Sequence, residues 1–105
     1  MALKHLTDAN FADETKNGIA IVDFWASWCG PCQMFGPIFE ATSKKFPKIN
    51  FCKFEIDDAN KRVPAKYGIR SIPSILIFKN GEVVESRAGL MMANDFEEWI
   101  ISISQ

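Results

Sequence analysis

The sequence predicts a mixed α/β fold, and three features lead to this prediction. The chain has 105 residues, of which 48% are hydrophobic, which suits one compact domain over residues 1–105 and excludes a disordered chain. Apolar runs rich in β-branched residues alternate with segments whose apolar residues recur at helical spacing. An Asn-Gly pair joins two late apolar runs and predicts an antiparallel hairpin. The early alternation predicts a parallel core sheet with helices on both faces.

The predicted elements follow the order β-α-β-α-β-α-β-β-α. In chain order they are a strand at Leu3–Leu6, a helix from Thr7 or Asp8 to about Lys16, a strand at Ile19–Ala26, a helix opened by Pro31, a strand at Ile49–Ile56, a short helix or turn at Ala59–Tyr67, strands at Ser74–Phe78 and Val83–Arg87, and a helix capped by Asn94 or Asp95. The late hairpin adds antiparallel strands to the parallel core.

Local signals support the elements of the first half. Thr7 and Asp8 are residue types that cap helix N-termini. Ile19–Ala26 is a continuous apolar run, which is typical of a central strand buried on both faces. Pro31 suits a first helical turn, because its φ is fixed and its missing N–H is not needed there. Pro37 falls inside the same helix and should kink it.

The second half has equally local signals. Asn80-Gly81 lies between the last two strands and is the strongest short signal for a two-residue hairpin turn. Phe96, Trp99, Ile100 and Ile103 recur at helical spacing, which gives the last helix one apolar face.

Composition argues against nucleic-acid and membrane partners. The formal net charge is -1, so electrostatics gives the chain no reason to bind nucleic acid or an anionic membrane. The first ten residues include charged side chains and contain no apolar signal core. The longest nearly apolar run, residues 18–28, contains Asp23 and is too short to span a bilayer. We therefore expect a cytoplasmic monomer.

Cys29 and Cys32 carry the strongest functional signal. The intervening Gly30 and Pro31 let both sulfurs meet across one turn at a strand-to-helix junction. The free N–H groups and dipole of a helix N-terminus favour a thiolate, which is the attacking species in disulfide exchange. Cys29 lies just before the helix and should feel this effect most, whereas Cys32 lies inside the first turn and should be more buried. This asymmetry predicts that Cys29 attacks a target disulfide and that Cys32 resolves the mixed disulfide.

Two other interpretations of the cysteine pair remain open. A zinc site needs about four ligands, and only His5 and Cys52 are left as good candidates. The pair could instead be two buried structural thiols. A Cys-x-x-Cys segment beside a βαβ pattern favours redox chemistry over both alternatives, so we expect neither a metal nor another cofactor.

Asp23 is a carboxylate inside the apolar run that leads to the cysteines. Strand alternation places it on the same face as Ile21 and Trp25. A buried, unpaired carboxyl has a raised pKa and is a candidate proton carrier; the alternatives are a solvent-facing residue or a satisfied structural acid. Lys53, in the third strand, could pair with Asp23 if the two strands are neighbours, or could be a sheet-edge lysine.

Four further residues concern the surroundings of the cysteines. The Ile72-Pro73 pair precedes a strand, where proline is tolerated, and residue-level physics does not choose between its cis and trans forms. Trp28 is adjacent to Cys29 and could line a docking surface, whereas Trp25 is assigned to the core.

Outside the zinc alternative, Cys52 and His5 receive no role in this reasoning. Cys52 has opposite strand parity to Lys53, so it should face away from Asp23 as a small buried hydrophobe. His5 is expected at the surface.

Four segments of the chain resemble the thioredoxin family. Asp23–Cys32 reads Asp-Phe-Trp-Ala-Ser-Trp-Cys-Gly-Pro-Cys and resembles the family's active-site segment. Tyr67–Ser74 resembles its cis-proline segment, Phe78–Glu82 resembles its hairpin, and Gly89 falls where the family has a groove glycine. The match covers essentially the whole chain in order and at family spacing, so the four segments together are highly specific.

The resemblance implies a thioredoxin-like fold, in which a central five-stranded mixed sheet is flanked by four helices. It implies a protein thiol–disulfide oxidoreductase that maintains cell redox homeostasis. Cys29 would be the nucleophile and Cys32 the resolving cysteine, and the two would form the redox disulfide. Asp23 would assist proton transfer at Cys32, with Lys53 nearby.

The resemblance also implies partners and a docking surface. Pro73 would be cis and lie against the cysteine pair. The residues that support the site or dock substrate polypeptides would be Trp28, Gly30, Pro31, Ser71, Ile72, Pro73 and Gly89. The electron source would be a thioredoxin reductase, and the substrates would be oxidised proteins such as a ribonucleotide reductase, a peroxiredoxin or a methionine sulfoxide reductase.

Some positions depart from the commonest pattern of the family. Gln33 stands where a lysine is frequent, which removes a cation near the thiols. Ser71 replaces a frequent glycine, and Arg87-Ala88 precedes Gly89 where an apolar pair is common. Cys52 is an additional cysteine. None of these changes touches the core chemistry.

Overall fold

The computed structural model describes residues 3–104 and contains the predicted succession of strands and helices. The elements are β1 (Lys4–Leu6), α1 (Phe11–Thr15), β2 (Ile19–Trp25), α2 (Gly30–Ser43), β3 (Asn50–Glu55), α3 (Arg62–Lys66), β4 (Ser74–Lys79), β5 (Glu82–Ala88) and α4 (Ala93–Ser104). The predicted order β-α-β-α-β-α-β-β-α is confirmed, and the segment predicted as a short helix or turn contains α3.

The strands form one mixed sheet in the order β1-β3-β2-β4-β5. β1, β3 and β2 are parallel to one another, whereas β4 pairs antiparallel with β2 and with β5. β2 is therefore the central strand, and residues 20–24 within it are all buried. This confirms the prediction from its continuous apolar run, because helices and neighbouring strands enclose a central strand on every side.

Helices cover both faces of the sheet, as predicted. On the α2/α4 face, Ile21 of β2 packs in a cluster with Phe35 and Phe39 of α2 and Phe96 of α4. On the opposite α1/α3 face, a second cluster contains Leu6, Phe11, Val22, Cys52, Phe54, Val63 and Phe78. Successive residues of β2 thus enter different clusters, because side chains alternate between the two faces of a sheet.

The hairpin between β4 and β5 turns at Asn80-Gly81, as predicted. Both residues have positive φ angles, +52° at Asn80 and +88° at Gly81. This backbone matches the twist of the flanking strands and suits asparagine and glycine. The turn is also fastened to the start of β2, because Gly18 N–H donates to Asn80 Oδ1 and Asn80 N–H donates to the Gly18 carbonyl, each at 2.9 Å.

Thr7, one of the two predicted caps, lies at the entry to α1, whereas the other, Asp8, caps a different helix. Residues 8–10 form a turn, and α1 begins only at Phe11. Thr7 and Asn10 close this turn, since each accepts the other's backbone N–H with its side-chain oxygen. Phe11 N–H also donates to the Thr7 carbonyl at 3.1 Å, so the reciprocal bonds of Thr7 and Asn10 form a capping box that leads into α1.

Asp8 caps a helix elsewhere in the chain. Its carboxylate accepts the backbone N–H groups of Lys61, Arg62 and Val63, at 3.2, 3.0 and 2.9 Å, at the start of α3. Desolvation opposes ionisation of this carboxyl, but the three N–H donors and the Arg62 charge outweigh it and hold its pKa below the ordinary value. Asp8 therefore fastens the segment before α1 to α3.

The predicted cap of the last helix is wrong, and Pro37 lies inside α2, as predicted. α4 begins at Ala93, and Phe96 N–H donates to the Met92 carbonyl at 3.0 Å, so Asn94 and Asp95 lie inside the first turn. α2 continues through Pro37 as one helix to Ser43.

Candidate active site

The cysteine pair lies where the chain leaves β2 and enters α2. Cys29 is the N-cap residue of α2 and has extended backbone angles, φ −94° and ψ 111°. Cys32 N–H, which has no helical partner in the first turn, donates to Cys29 Sγ at 3.2 Å. Pro31 occupies the first turn as predicted. Cys29 is therefore at the end of the helix where unpaired N–H groups favour a negatively charged sulfur.

The Sγ atoms of Cys29 and Cys32 are joined as a disulfide, and their Cα atoms lie 5.3 Å apart. Both residues are buried, with 5% of Cys29 and 2% of Cys32 exposed. Exposure alone therefore separates the two sulfurs only slightly. The clearer difference is in their contacts, because Cys29 Sγ accepts a backbone N–H at the helix start.

Ile72 and Pro73 are joined by a cis peptide bond. The backbone of this segment contacts Cys29 on one side and Gly89, just after β5, on the other. The Ile72 carbonyl oxygen lies 3.7 Å from Cys29 Sγ. Gly89 N–H donates to the Pro73 carbonyl at 2.7 Å, and Gly89 has a φ of +97°, which favours glycine. The cis bond implied by the resemblance is therefore present and lies against the cysteine pair.

The residues predicted to dock substrates differ widely in exposure. Trp28 exposes 79% of its surface, and Gly30, Pro31 and Ser71 are also exposed. Ile72 is half-buried, whereas Pro73 is buried. An exposed tryptophan next to a buried disulfide provides an apolar contact surface beside the reacting sulfur.

Sequence reasoning missed the hydrogen bond made by Gln33. Its Nε2 donates to the Ser27 carbonyl at 2.7 Å, which connects the first turn of α2 to the loop before Cys29. The prediction concerned only the cation lost at this position. The amide's partner depends on the path of residues 26–29, and no sequence pattern specifies that path.

Asp23 is completely buried on the α2/α4 face. Neither of its carboxylate oxygens accepts a hydrogen bond from any residue in the range 3–104. Burial raises the pKa of this carboxyl to about 7, and the positive charge of Lys53 acts in the opposite direction. A carboxyl with this pKa exchanges protons at neutral pH, so Asp23 can serve as a general acid or base.

Asp23 and Cys32 face the same interface between the sheet and α2. On β2, Asp23 shares its face with Ile21, which packs against Phe35 and Phe39. On α2, Cys32 precedes Phe35 and Phe39 by three and seven residues, and all three are buried on one side of the helix. The fold therefore directs the buried cysteine and the buried carboxyl toward the same layer.

Lys53 lies beside Asp23, and the sheet-edge interpretation is wrong. Asp23 and Lys53 are register partners on β2 and β3, and β3 is an inner strand. The Lys53 Nζ lies 4.8 Å from the centroid of the Trp25 ring. The ion pairs found among residues 3–104 do not include one between Lys53 and Asp23 within 4.0 Å. Trp25 itself is half-buried rather than part of the core.

The fold separates the two remaining zinc candidates from the cysteine pair. Cys52 is fully buried in the α1/α3 cluster, and burial raises its pKa to about 11. His5 is exposed on the edge strand β1. Within residues 3–104, no three or more His, Cys, Asp or Glu side chains are grouped so that they could hold a metal ion. The described helices include none with the length and apolar character needed to cross a membrane.

Comparisons with known proteins agree with this site. Residues 2–102 match the family model named Thioredoxin. The chain is 46% identical over 99 residues to a thioredoxin of Rickettsia bellii, which covers 91% of this chain and 93% of the relative. It is 39% identical over 101 residues to a thioredoxin of Bacillus subtilis, which covers 95% and 96% of the two chains.

The fold agrees with a solved structure as well. A crystal structure of a thioredoxin from Malassezia sympodialis matches with a TM-score of 0.89 at 30% sequence identity, covering 99% of this chain and 92% of that one. This match confirms the thioredoxin-like fold. With a cysteine pair joined at the start of α2 and family similarity over nearly its whole length, the chain belongs to the thioredoxin family of thiol–disulfide oxidoreductases.

Proposed function

We propose that the protein is a general reductase of protein disulfides in which Cys29 attacks and Cys32 resolves. The position of Cys29 carries this proposal. Its sulfur caps α2 and accepts the N–H of Cys32 at 3.2 Å, and the residue directly before it is the exposed Trp28. The helix N-terminus stabilises the negative charge that the sulfur bears as attacking thiolate and as leaving group.

The reaction begins with the reduced protein. The Cys29 thiolate attacks one sulfur of a target disulfide, a new S–S bond forms, and the target's other sulfur leaves as a thiolate that takes a proton from solvent. The Cys32 thiol then gives its proton to Asp23, and its sulfur attacks Cys29 Sγ. The mixed disulfide breaks, the second target thiolate leaves, and two electrons have passed from the Cys29–Cys32 pair to the target.

Asp23 is suited to the second step. With a pKa of about 7, its carboxyl is present in both protonation states at neutral pH. It can accept the Cys32 proton during target reduction and return it when the protein is reduced again. Lys53 is the neighbouring cation whose charge opposes the rise in the pKa of Asp23.

Substrate polypeptides would dock around the disulfide. Trp28 offers exposed apolar surface, and the Ile72-Pro73 segment lies between Cys29 and Gly89. Ser71, Gly30 and Pro31 would complete the rim. Expected substrates are oxidised proteins of the ribonucleotide reductase, peroxiredoxin or methionine sulfoxide reductase type, and the expected electron source is a thioredoxin reductase. We propose that this single domain, residues 1–105, acts as a monomer in the cytoplasm.

A two-stage assay tests the proposed function. The protein is first incubated with insulin and dithiothreitol, and precipitation of the released insulin chains is followed by turbidity. It is then assayed with a thioredoxin reductase and NADPH in place of dithiothreitol, and NADPH oxidation is followed by absorbance. We expect activity in both stages.

The outcomes separate the parts of the proposal. Activity with dithiothreitol alone would contradict the assigned electron donor and leave the reductase chemistry standing. Inactivity in both stages, with a protein shown to be folded by circular dichroism, would contradict the proposed function as a whole.

A further inference from the structure

We propose that Trp25 is a positioning residue whose ring holds the Lys53 ammonium group away from Asp23. Trp25 lies in β2, two residues after Asp23 on the same face of the sheet. Its effect on the reaction would be indirect, through the charge next to the buried carboxyl. The inference rests on the proposed function only where Asp23 is taken as the proton carrier of the resolving step.

The register of β2 and β3 makes an ion pair the expected arrangement. Asp23 and Lys53 are direct partners on neighbouring parallel strands, and their side chains leave the sheet on the same face. A lysine side chain is long enough to bring its ammonium to a carboxylate one strand away. An isolated buried carboxylate also attracts the nearest cation strongly.

The structure shows a different contact. Lys53 Nζ lies 4.8 Å from the centroid of the Trp25 ring, within the range of a cation–π interaction. Asp23, for its part, accepts no hydrogen bond from Lys53 or from any other residue between 3 and 104. The ammonium group of Lys53 therefore contacts the Trp25 ring, although the strand register places Lys53 directly beside Asp23.

α2 forms the other side of the ammonium site. A Cβ atom placed on Gly36 would lie 3.5 Å from Lys53 Nζ, so the ammonium approaches the helix backbone at this residue. Gly36 follows Cys32 by one helical turn. The ammonium group thus lies between the Trp25 ring and the part of α2 at Gly36, where the helix carries no side chain.

Few other charged or titratable groups face Asp23. On β3, Lys53 and the exposed Glu55 share its face, and on β4 its register partner is the apolar Ile75. One strand further out on either side, His5 of β1 and Arg87 of β5 lie on the same face, and both are exposed. On α2, Cys32 faces the same layer and titrates only when the disulfide is reduced. Burial is the larger cause of the raised pKa of Asp23, and Lys53 is the one charge found to oppose it, so a shift of the ammonium group changes that pKa.

Titration of Asp23 in the oxidised protein tests the inference. The chemical shift of its side-chain carboxyl carbon is followed by NMR against pH in the wild type, Trp25→Leu, Lys53→Met and the double variant. Without the ring, the ammonium should move to the carboxylate, and the midpoint in Trp25→Leu should fall by about one pH unit. In the Lys53→Met background, the same tryptophan substitution should produce no fall, because the cation is absent.

Trp25→Phe serves as a second variant in case Trp25→Leu fails to fold. It keeps an aromatic ring with weaker attraction for a cation, so its midpoint should fall by less than in Trp25→Leu. An unchanged or higher midpoint in the folded tryptophan variants would overturn the inference, as would an equal fall with and without Lys53. Because the titration requires no substrate, its failure leaves the proposed reductase function intact, and loss of insulin reduction leaves the titration result intact.

Discussion

Asp23 and Cys52 are two buried titratable groups that the same pair of strands places on opposite faces of the sheet. In the register of β2 and β3, Val22 is the partner of Cys52, and the next residue along, Asp23, is the partner of Lys53. Neither Asp23 nor Cys52 is exposed to solvent. Burial raises the pKa of both groups, to about 7 for Asp23 and to about 11 for Cys52.

The same physical cause has opposite chemical consequences on the two faces. A thiol with a pKa of about 11 stays protonated at neutral pH and is a poor nucleophile. A carboxyl with a pKa of about 7 gains and loses its proton under the same conditions. Burial therefore makes the Cys52 thiol unreactive on the α1/α3 face, whereas it gives Asp23 a pKa suited to proton transfer on the α2/α4 face.

The largest effect should come from the cysteines on the α2/α4 side. We expect Cys29→Ser to reduce insulin precipitation to the background rate of dithiothreitol alone, because the attacking sulfur is gone. Cys32→Ser should still attack and should accumulate mixed disulfides with its targets, visible as adducts by mass spectrometry. Equal alkylation rates of the two thiols in the reduced wild type at neutral pH would count against these roles.

Replacing Asp23 should change stability by an amount that depends on pH. In the folded protein Asp23 stays protonated up to about pH 7, its pKa, whereas in the unfolded chain it loses its proton near pH 4. The stability of the wild type therefore falls as pH rises between these two values. Asp23→Asn lacks this loss and should be more stable than the wild type by up to about 4 kcal/mol at pH 8, and by less at pH 5.

Urea unfolding of the wild type and Asp23→Asn at several pH values measures this difference. Cys52→Ala is the matched control, since it removes a buried titratable group from the other face. Identical pH dependence in the wild type and Asp23→Asn would show that Asp23 is ionised without cost in the folded protein.

Cys52→Ser should affect stability and leave activity unchanged. The hydroxyl enters the apolar cluster of Leu6, Val22 and Phe54, and the nearest acceptor, the Asn50 carbonyl, lies 3.9 Å from Cys52 Sγ, beyond the usual O–H···O range. A buried polar group left without a hydrogen bond costs about 1–3 kcal/mol. Thermal unfolding measures the loss, and the insulin assay should give the wild-type rate below the melting transition. A fall in activity of the folded variant would assign Cys52 a redox role and contradict the conclusion that only the α2/α4 face takes part in the chemistry.

The smallest effect is expected at Gly36, on the α2 surface that faces Lys53. A methyl group there would make ordinary contact with Lys53 Nζ at 3.5 Å, and alanine is a better helix former than glycine. Gly36→Ala should therefore raise the free energy of unfolding by about 0.5–1 kcal/mol in urea experiments. Destabilisation would mean that the space beside the ammonium is tighter than the structure shows.

The sequence predicted features that depend on local pattern. The continuous apolar run of β2, the Asn80-Gly81 turn and the position of Cys29 at a helix start are each encoded by adjacent residues, and the structure has them. The parity of Cys52 and Lys53 likewise placed these two residues on opposite faces. Such features follow from side-chain periodicity and backbone preference, which are visible in a single segment.

The features that escaped prediction depend on contacts between distant segments. The sequence left two environments open for Lys53, an ion pair with Asp23 and a position at the sheet edge. Its contact with the Trp25 ring depends on the register of two strands and on the position of α2, which no single segment encodes. The bond from Gln33 to Ser27 required the path of a loop. Asp8 is the correct residue type for a helix cap, but nothing near it in sequence indicates that the helix it caps is α3.

The Asp8 cap couples the local unfolding of two segments, the turn before α1 and the start of α3. α3 has five residues, too few for a helix to persist alone in water, and its first N–H groups are held by a carboxylate more than fifty residues earlier. The turn before α1 and the start of α3 should therefore detach together as one cooperative unit of local unfolding. Hydrogen exchange at the amides of Lys61, Arg62 and Val63 would then report how often the N-terminal segment leaves the folded body.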